Sequence, residues 1–195
     1  MSVRILVVCT GNVCRSPYAH LTLAAALEGA SPGCFDVSSA GTHALEGHPV
    51  DPGSATILDA LGIDHMDFAA RQLSAQVMAD ADVVLTLDRT HRSGALAYSP
   101  RHLKRTFTLK ELARLIETAD ARRPWVQRLA GLETVDERWA AMPEHLARER
   151  GLSRVDEGAD DIADPYRQPQ EAFEAMAAEV DAAVATIVEL ERAFS

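Results

Sequence analysis

The stretch Val3-Arg4-Ile5-Leu6-Val7-Val8-Cys9-Thr10-Gly11-Asn12-Val13-Cys14-Arg15-Ser16-Pro17 constrains the fold more than any other part of the chain. A short apolar, β-branched run reads as a buried parallel strand, and proline is pre-set for the first turn of a helix. The loop between them therefore ends at a helix N-terminus, where unpaired N–H groups and the positive end of the helix dipole converge on an anion. Gly11 is expected to supply backbone angles closed to other residues. Thr10, Gly11, Asn12, Val13, Cys14 and Ser16 then form a phosphate nest, and Arg15 adds a planar fork that holds two phosphate oxygens at once. In that field Cys9 is held as the thiolate, the form that attacks phosphorus. Ser16 is placed to hydrogen-bond this sulfur, and Asn12 to bond the backbone and brace the loop.

Closing a strand as a small hydrophobe is the ordinary fate of a single cysteine. That role leaves the Gly, Asn, Arg, Ser and Pro at these offsets unexplained. Cys9 and Cys14 without a second cysteine pair do not supply four zinc ligands, so neither a metal nor another cofactor is expected. Three cysteines in all do not make a disulfide framework, which points to a reducing cytoplasm. A net charge of -10 argues against nucleic acid as a partner. With no apolar run of about 18 residues and no basic segment leading into an apolar one, neither a membrane span nor a secretion signal is expected.

At 195 residues and 47% hydrophobic content the chain has the size of one domain with one core. Strand-like runs fall at 3–8, 35–39, 82–87 and 105–108. Helical patterns occupy 17–29 and 53–61, and a final series from Phe173 through Met176, Val180, Val184 and Ile187 to Leu190 steps by three or four. Strands alternating with helices predict an α/β fold, a parallel sheet with helices on both faces and the phosphate-binding loop after its first strand.

Cys9 to Pro17 resembles the signature loop of the low-molecular-weight protein tyrosine phosphatases. Ser38-Ser39-Ala40-Gly41-Thr42 and the run Ala81 to Asp88 resemble the ends of that family's second and third strands. Asp161-Ile162-Ala163-Asp164-Pro165-Tyr166-Arg167 resembles its second catalytic loop. The resemblance implies a sheet of four strands, a phosphocysteine formed on Cys9, Arg15 as the phosphate clamp and Asp164 as the general acid for a tyrosyl leaving group. It also implies Leu45, Tyr166 and Arg167 as walls of the substrate cleft. Leu45, where other members carry tryptophan, and Asp164-Pro165-Tyr166-Arg167 fit the bacterial members that act on capsule and exopolysaccharide tyrosine kinases. The implied partner is a tyrosine-phosphorylated protein, such as a bacterial tyrosine kinase. A protein-arginine phosphatase of the same fold is the alternative, although those relatives carry threonine where Val13 stands. A thiol-coupled arsenate reductase needs further downstream cysteines, and only Cys34 lies beyond the loop.

One segment departs from the family. The chain reads as a single phosphatase domain, 1–195, with a helical insertion at about 110–158. Helical stretches there at Leu109 to Glu117, Trp125 to Leu129 and Glu133 to Arg150 are broken by Pro124 and Pro143, and a polar, acidic stretch from Gly151 to Asp161 follows. Cys14 is left with two roles, packing under the loop or trapping an oxidised Cys9 as a disulfide.

Overall fold

The computed structural model describes residues 2–153 and 155–194. Four strands, β1 (Val3–Cys9), β2 (Phe35–Gly41), β3 (Val83–Thr86) and β4 (Thr106–Thr108), form one parallel sheet in the order β2-β1-β3-β4. β1 lies between β2 and β3 and is buried almost throughout. Its alternate residues serve two cores. Val3, Ile5, Val7 and Cys9 join the larger one, and Leu6 and Val8 join a smaller one with Met78, Val84 and Ala95.

The helices follow from capping and periodicity. α1 (Arg15–Ala30), α2 (Pro52–Leu61), α5 (Leu109–Arg122) and α8 (Gln170–Arg192) gather on the larger core, while α3 (Ala75–Asp80) and α4 (Arg89–Tyr98) bring residues to the smaller one. Asp51, Ser74 and Asp88 accept from the first-turn N–H groups of α2, α3 and α4, and Thr108 with Glu111 forms a capping box on α5. Among the described residues no helix is long and apolar enough to cross a membrane.

From β1 the chain steps to β2 on one side and then returns past β1 to β3 on the other. A parallel sheet with that reversal opens a crevice at the carboxyl ends of the two strands where it occurs, here β1 and β3. The loop after Cys9 and the residue Asp88 both belong to that crevice.

Pro124 does separate α5 from α6 (Trp125–Arg128), but Pro143 does not break its helix: α7 runs unbroken over Val135–Leu152. Trp139, Met142, Pro143 and Leu146 are all buried, so packing offsets the roughly 3 kcal/mol that an interior proline costs. Asp160 and Asp161, at the end of the acidic stretch after α7, are tied down. Asp160 takes two hydrogen bonds from the Arg114 guanidinium (3.0 and 2.7 Å), its carbonyl takes one from the Thr108 hydroxyl (2.9 Å), and Asp161 takes the Arg89 N–H (2.9 Å).

Candidate active site

Asn12 apart, the loop from Thr10 to Cys14 has its carbonyls bonded and its amides free. The segment after β2 runs beside it and donates from Thr42, His43 and Leu45 to the carbonyls of Cys9, Thr10 and Gly11 at 2.9, 3.0 and 2.9 Å. The Asp51 N–H takes the Val13 carbonyl at 2.8 Å. The N–H groups of Thr10, Gly11, Val13, Cys14, Arg15 and Ser16 find no acceptor among the described residues. With those carbonyls held by neighbouring segments, these amides are left for an anion in the loop, and the dipole of α1 adds to their field.

The glycine that this approach requires is Gly41, at the end of β2. A Cβ there would stand 2.4 Å from the Thr10 carbonyl oxygen. Gly11 has no positive φ and its Cβ would meet only ordinary contacts, so the expectation that Gly11 supplies the special backbone is corrected. Asn12 supplies it, with φ +55°. Its side chain also bonds more widely than expected: Nδ2 donates to the Ser16 and Ser39 hydroxyls, both at 2.9 Å, and Oδ1 accepts from the Arg71 N–H at 2.9 Å. Because the Ser16 oxygen accepts from Asn12, its hydroxyl proton is left for the Cys9 sulfur, 2.9 Å away. The Asn12 N–H adds a second contact to that sulfur at 3.3 Å. Two donors aimed at one sulfur stabilise negative charge that forms on it.

Arg15 is 5% exposed and held on three sides. Nη1 donates to Asp88 Oδ2 (3.2 Å) and to the Ile162 carbonyl (3.1 Å), and Nη2 lies 2.9 Å from Asp164 Oδ2. The two predicted loops therefore meet, although about 150 residues of chain separate Arg15 from Asp164. Asp164 itself is half exposed at the mouth of the cleft.

The cleft encloses about 220 Å³ and is lined by Cys9, Thr10, Gly11, Val13, Cys14, Arg15, His43, Leu45, Asp164 and Tyr166. Leu45 and Tyr166, both partly exposed, are on its lining. Arg167, expected beside them, is not on that lining. It has φ +61°, and its guanidinium packs over the Tyr166 ring, 5.1 Å from the centroid. Cys14 is buried beneath the loop. Burial, with Asp51 second, pushes its thiol well above the ordinary range, so it stays protonated. No group of three or more His, Cys, Asp or Glu residues fit to hold a metal occurs among the described residues.

Sequence reasoning missed Asp88 and His91, which buttress Arg15 and Thr10. The available signal was an acidic residue directly after an apolar strand run, at the strand end where a parallel sheet of this order opens its crevice.

The family model described as low molecular weight phosphotyrosine protein phosphatase matches residues 4–149. The chain is 35% identical over 129 residues to the probable low molecular weight protein-tyrosine-phosphatase EpsP of Ralstonia nicotianae, covering 66% of this chain and 83% of that one. The low molecular weight protein tyrosine phosphatase from T. tengcongensis superposes with a TM-score of 0.67 at 27% identity, covering 96% of this chain and 99% of that one. The YwlE arginine phosphatase from Geobacillus stearothermophilus does so with a TM-score of 0.65 at 27% identity, covering 96% and 91%.

Proposed function

The chain belongs to the low molecular weight phosphotyrosine protein phosphatase family, and on that premise we propose that it hydrolyses phosphotyrosine in proteins through a phosphocysteine on Cys9. The observation that carries this reading is the loop whose amides are free while the Ser16 hydroxyl is aimed at the Cys9 sulfur. The Cys9 thiolate attacks phosphorus, and the bond to the tyrosyl oxygen breaks as Asp164 gives that oxygen its proton. The loop amides and Arg15 take the three phosphoryl oxygens, whose charge grows in the transition state. Asp164, now a carboxylate, draws a proton from water as the water attacks the phosphocysteine. Ser16 stabilises the departing thiolate, and inorganic phosphate leaves.

Leu45 and Tyr166 suit the two faces of a phenyl ring, and Val13 offers no hydroxyl to a guanidinium. Phosphotyrosine is therefore favoured over phosphoarginine. The substrate in this reading is a tyrosine-phosphorylated protein, such as a bacterial tyrosine kinase, met in the cytoplasm. The whole chain serves as one phosphatase domain, with about 110–158 as a helical insertion.

The test is turnover of a chromogenic aryl phosphate and of phosphotyrosine, phosphoserine and phosphoarginine peptides. Phosphotyrosine should be the preferred peptide. Cys9→Ser should abolish turnover and keep phosphate binding. Asp164→Asn should lose roughly 10²- to 10⁴-fold on phosphotyrosine, and much less on an aryl phosphate with a good leaving group. Substantial activity in Cys9→Ser, or equal losses on both substrates in Asp164→Asn, would refute the assigned roles.

A further inference from the structure

His91 is a buried imidazole that the mechanism above does not use. It lies on the first turn of α4, is 4% exposed, and reaches two parts of the cleft at once. Nε2 is 2.8 Å from the Thr10 hydroxyl, and Nδ1 is 3.0 Å from Asp88 Oδ2, in a bent approach that is an electrostatic contact rather than an aligned hydrogen bond. The same Asp88 oxygen takes Arg15 Nη1 at 3.2 Å, while Asp88 Oδ1 caps α4 through the His91 N–H at 2.7 Å. One carboxylate thus fixes both the phosphate clamp and the imidazole.

The charged groups around the ring are Asp88 at the start of α4, Arg15 on α1, and Asp161 and Asp164 on the loop before α8. Burial outweighs the carboxylates and pushes the imidazole down to about 4, so it is neutral in ordinary buffers. A neutral ring has one N–H. Beside a carboxylate that proton belongs on Nδ1, because a lone pair facing Asp88 would be repelled. Nε2 is then an acceptor, and the Thr10 hydroxyl must donate to it.

Thr10 directly follows Cys9. Its carbonyl is held by the His43 N–H on one side and its hydroxyl by His91 on the other. The carbonyl contact fixes the Thr10–Gly11 peptide plane and so the direction of the Gly11 amide, while the hydroxyl contact holds the Thr10 side chain and Cα from which that plane starts. We propose that His91 is a positioning residue for phosphoryl transfer, acting through the Thr10 hydroxyl and the shared Asp88 carboxylate to aim the loop amides and Arg15 at the phosphoryl oxygens. The proposal rests on the phosphatase reading of the cleft.

The experiment is a double-mutant cycle on the whole chain with a chromogenic aryl phosphate. His91→Ala should lower kcat/KM by about 10- to 100-fold, less than the 10²- to 10³-fold typical of deleting an oxyanion donor outright. It should weaken vanadate binding by a similar factor, since both report preorganisation of the same donors. Thr10→Val should show the same kind of loss, and the double variant should be little worse than the worse single one, because the two residues act through one contact. His91→Gln, whose amide oxygen can accept from Thr10, should recover part of the loss. If wild type turns over and His91→Ala stays within twofold of it, or if the two losses multiply in the double variant, the proposal is wrong while the phosphatase reading stands. Should His91→Ala fail to fold, Thr10→Val and His91→Gln still decide it: vanadate affinity unchanged in Thr10→Val overturns the proposal. A wild-type protein without turnover overturns both.

Discussion

Asn12 concentrates the loop's demands in one residue. It holds φ +55°, and its amide bonds Ser16, Ser39 and the Arg71 N–H, all of which are otherwise without that partner. Left-handed backbone costs an L residue roughly 1–2 kcal/mol, which asparagine bears more easily than most. Both Asn12→Ala and Asn12→Gly should lose kcat/KM, because Ser16 would no longer be oriented toward Cys9. They should differ in stability. Alanine should be the worse by about 1 kcal/mol in urea denaturation, the strain less the chain entropy that glycine adds to the unfolded state. Equal midpoints would mean that no strain is held at this position. The identity of Asn12 as a loop residue is plain in the sequence, but its backbone angle is not, since Gly11 next to it looks the better candidate until the carbonyl contacts from Thr42, His43 and Leu45 are seen.

At the scale of elements, α7 belongs to the far end of the sheet. Trp139 packs edge-on against Phe35 at the start of β2, with ring centroids 5.3 Å apart, and its indole N–H donates to Glu191 of α8 at 2.6 Å. Glu191 is 1% exposed, so a lost donor leaves a buried carboxylate short of partners. At its other end α7 is clamped by Arg150, whose guanidinium holds both oxygens of Glu111 at 2.6 and 3.0 Å and lies over the Phe107 ring. Trp139→Phe should therefore lower stability by about 1–3 kcal/mol and leave kcat/KM on an aryl phosphate unchanged. Urea denaturation beside the assay measures both. A large loss of activity at full stability would put α7 among the walls of the cleft instead. What does link this region to the chemistry is the stretch after α7, where Arg114 on Asp160 and Arg89 on Asp161 fix the chain that leads into Asp164.

For the whole molecule, buried His91 and half-buried His20 contribute to how stability depends on pH, and burial lowers His102 in the same direction. Burial pushes both His20 and His91 down to about 4, with Arg71 adding to the effect at His20 and Arg15 at His91. The unfolded chain, with imidazoles near 6.5, binds more protons than the folded one between these values, so stability rises with pH across that window. It should be fully present above about 6.5 and decline as pH falls toward 4, with His91 alone accounting for on the order of 2 kcal/mol between pH 7 and pH 5. Urea midpoints at pH 5, 6 and 7 measure the slope, and His91→Gln should flatten it. Unchanged midpoints from pH 7 to 5 would mean that these rings are not buried in the neutral form. From the sequence alone came the alternation of strands and helices and a phosphate loop after β1 that carries Cys9 and Arg15, which rest on short-range signals, hydrophobic period and residue spacing, that the chain carries locally. The assignment of Asp164 came from the family resemblance. The order β2-β1-β3-β4 is a matter of tertiary packing. Such packing brings Asp88 to Arg15, His91 to Thr10 and Gly41 under the Thr10 carbonyl, and buries the face of α7 that carries Pro143, because each of these depends on contacts between segments far apart in the chain, which no local pattern encodes.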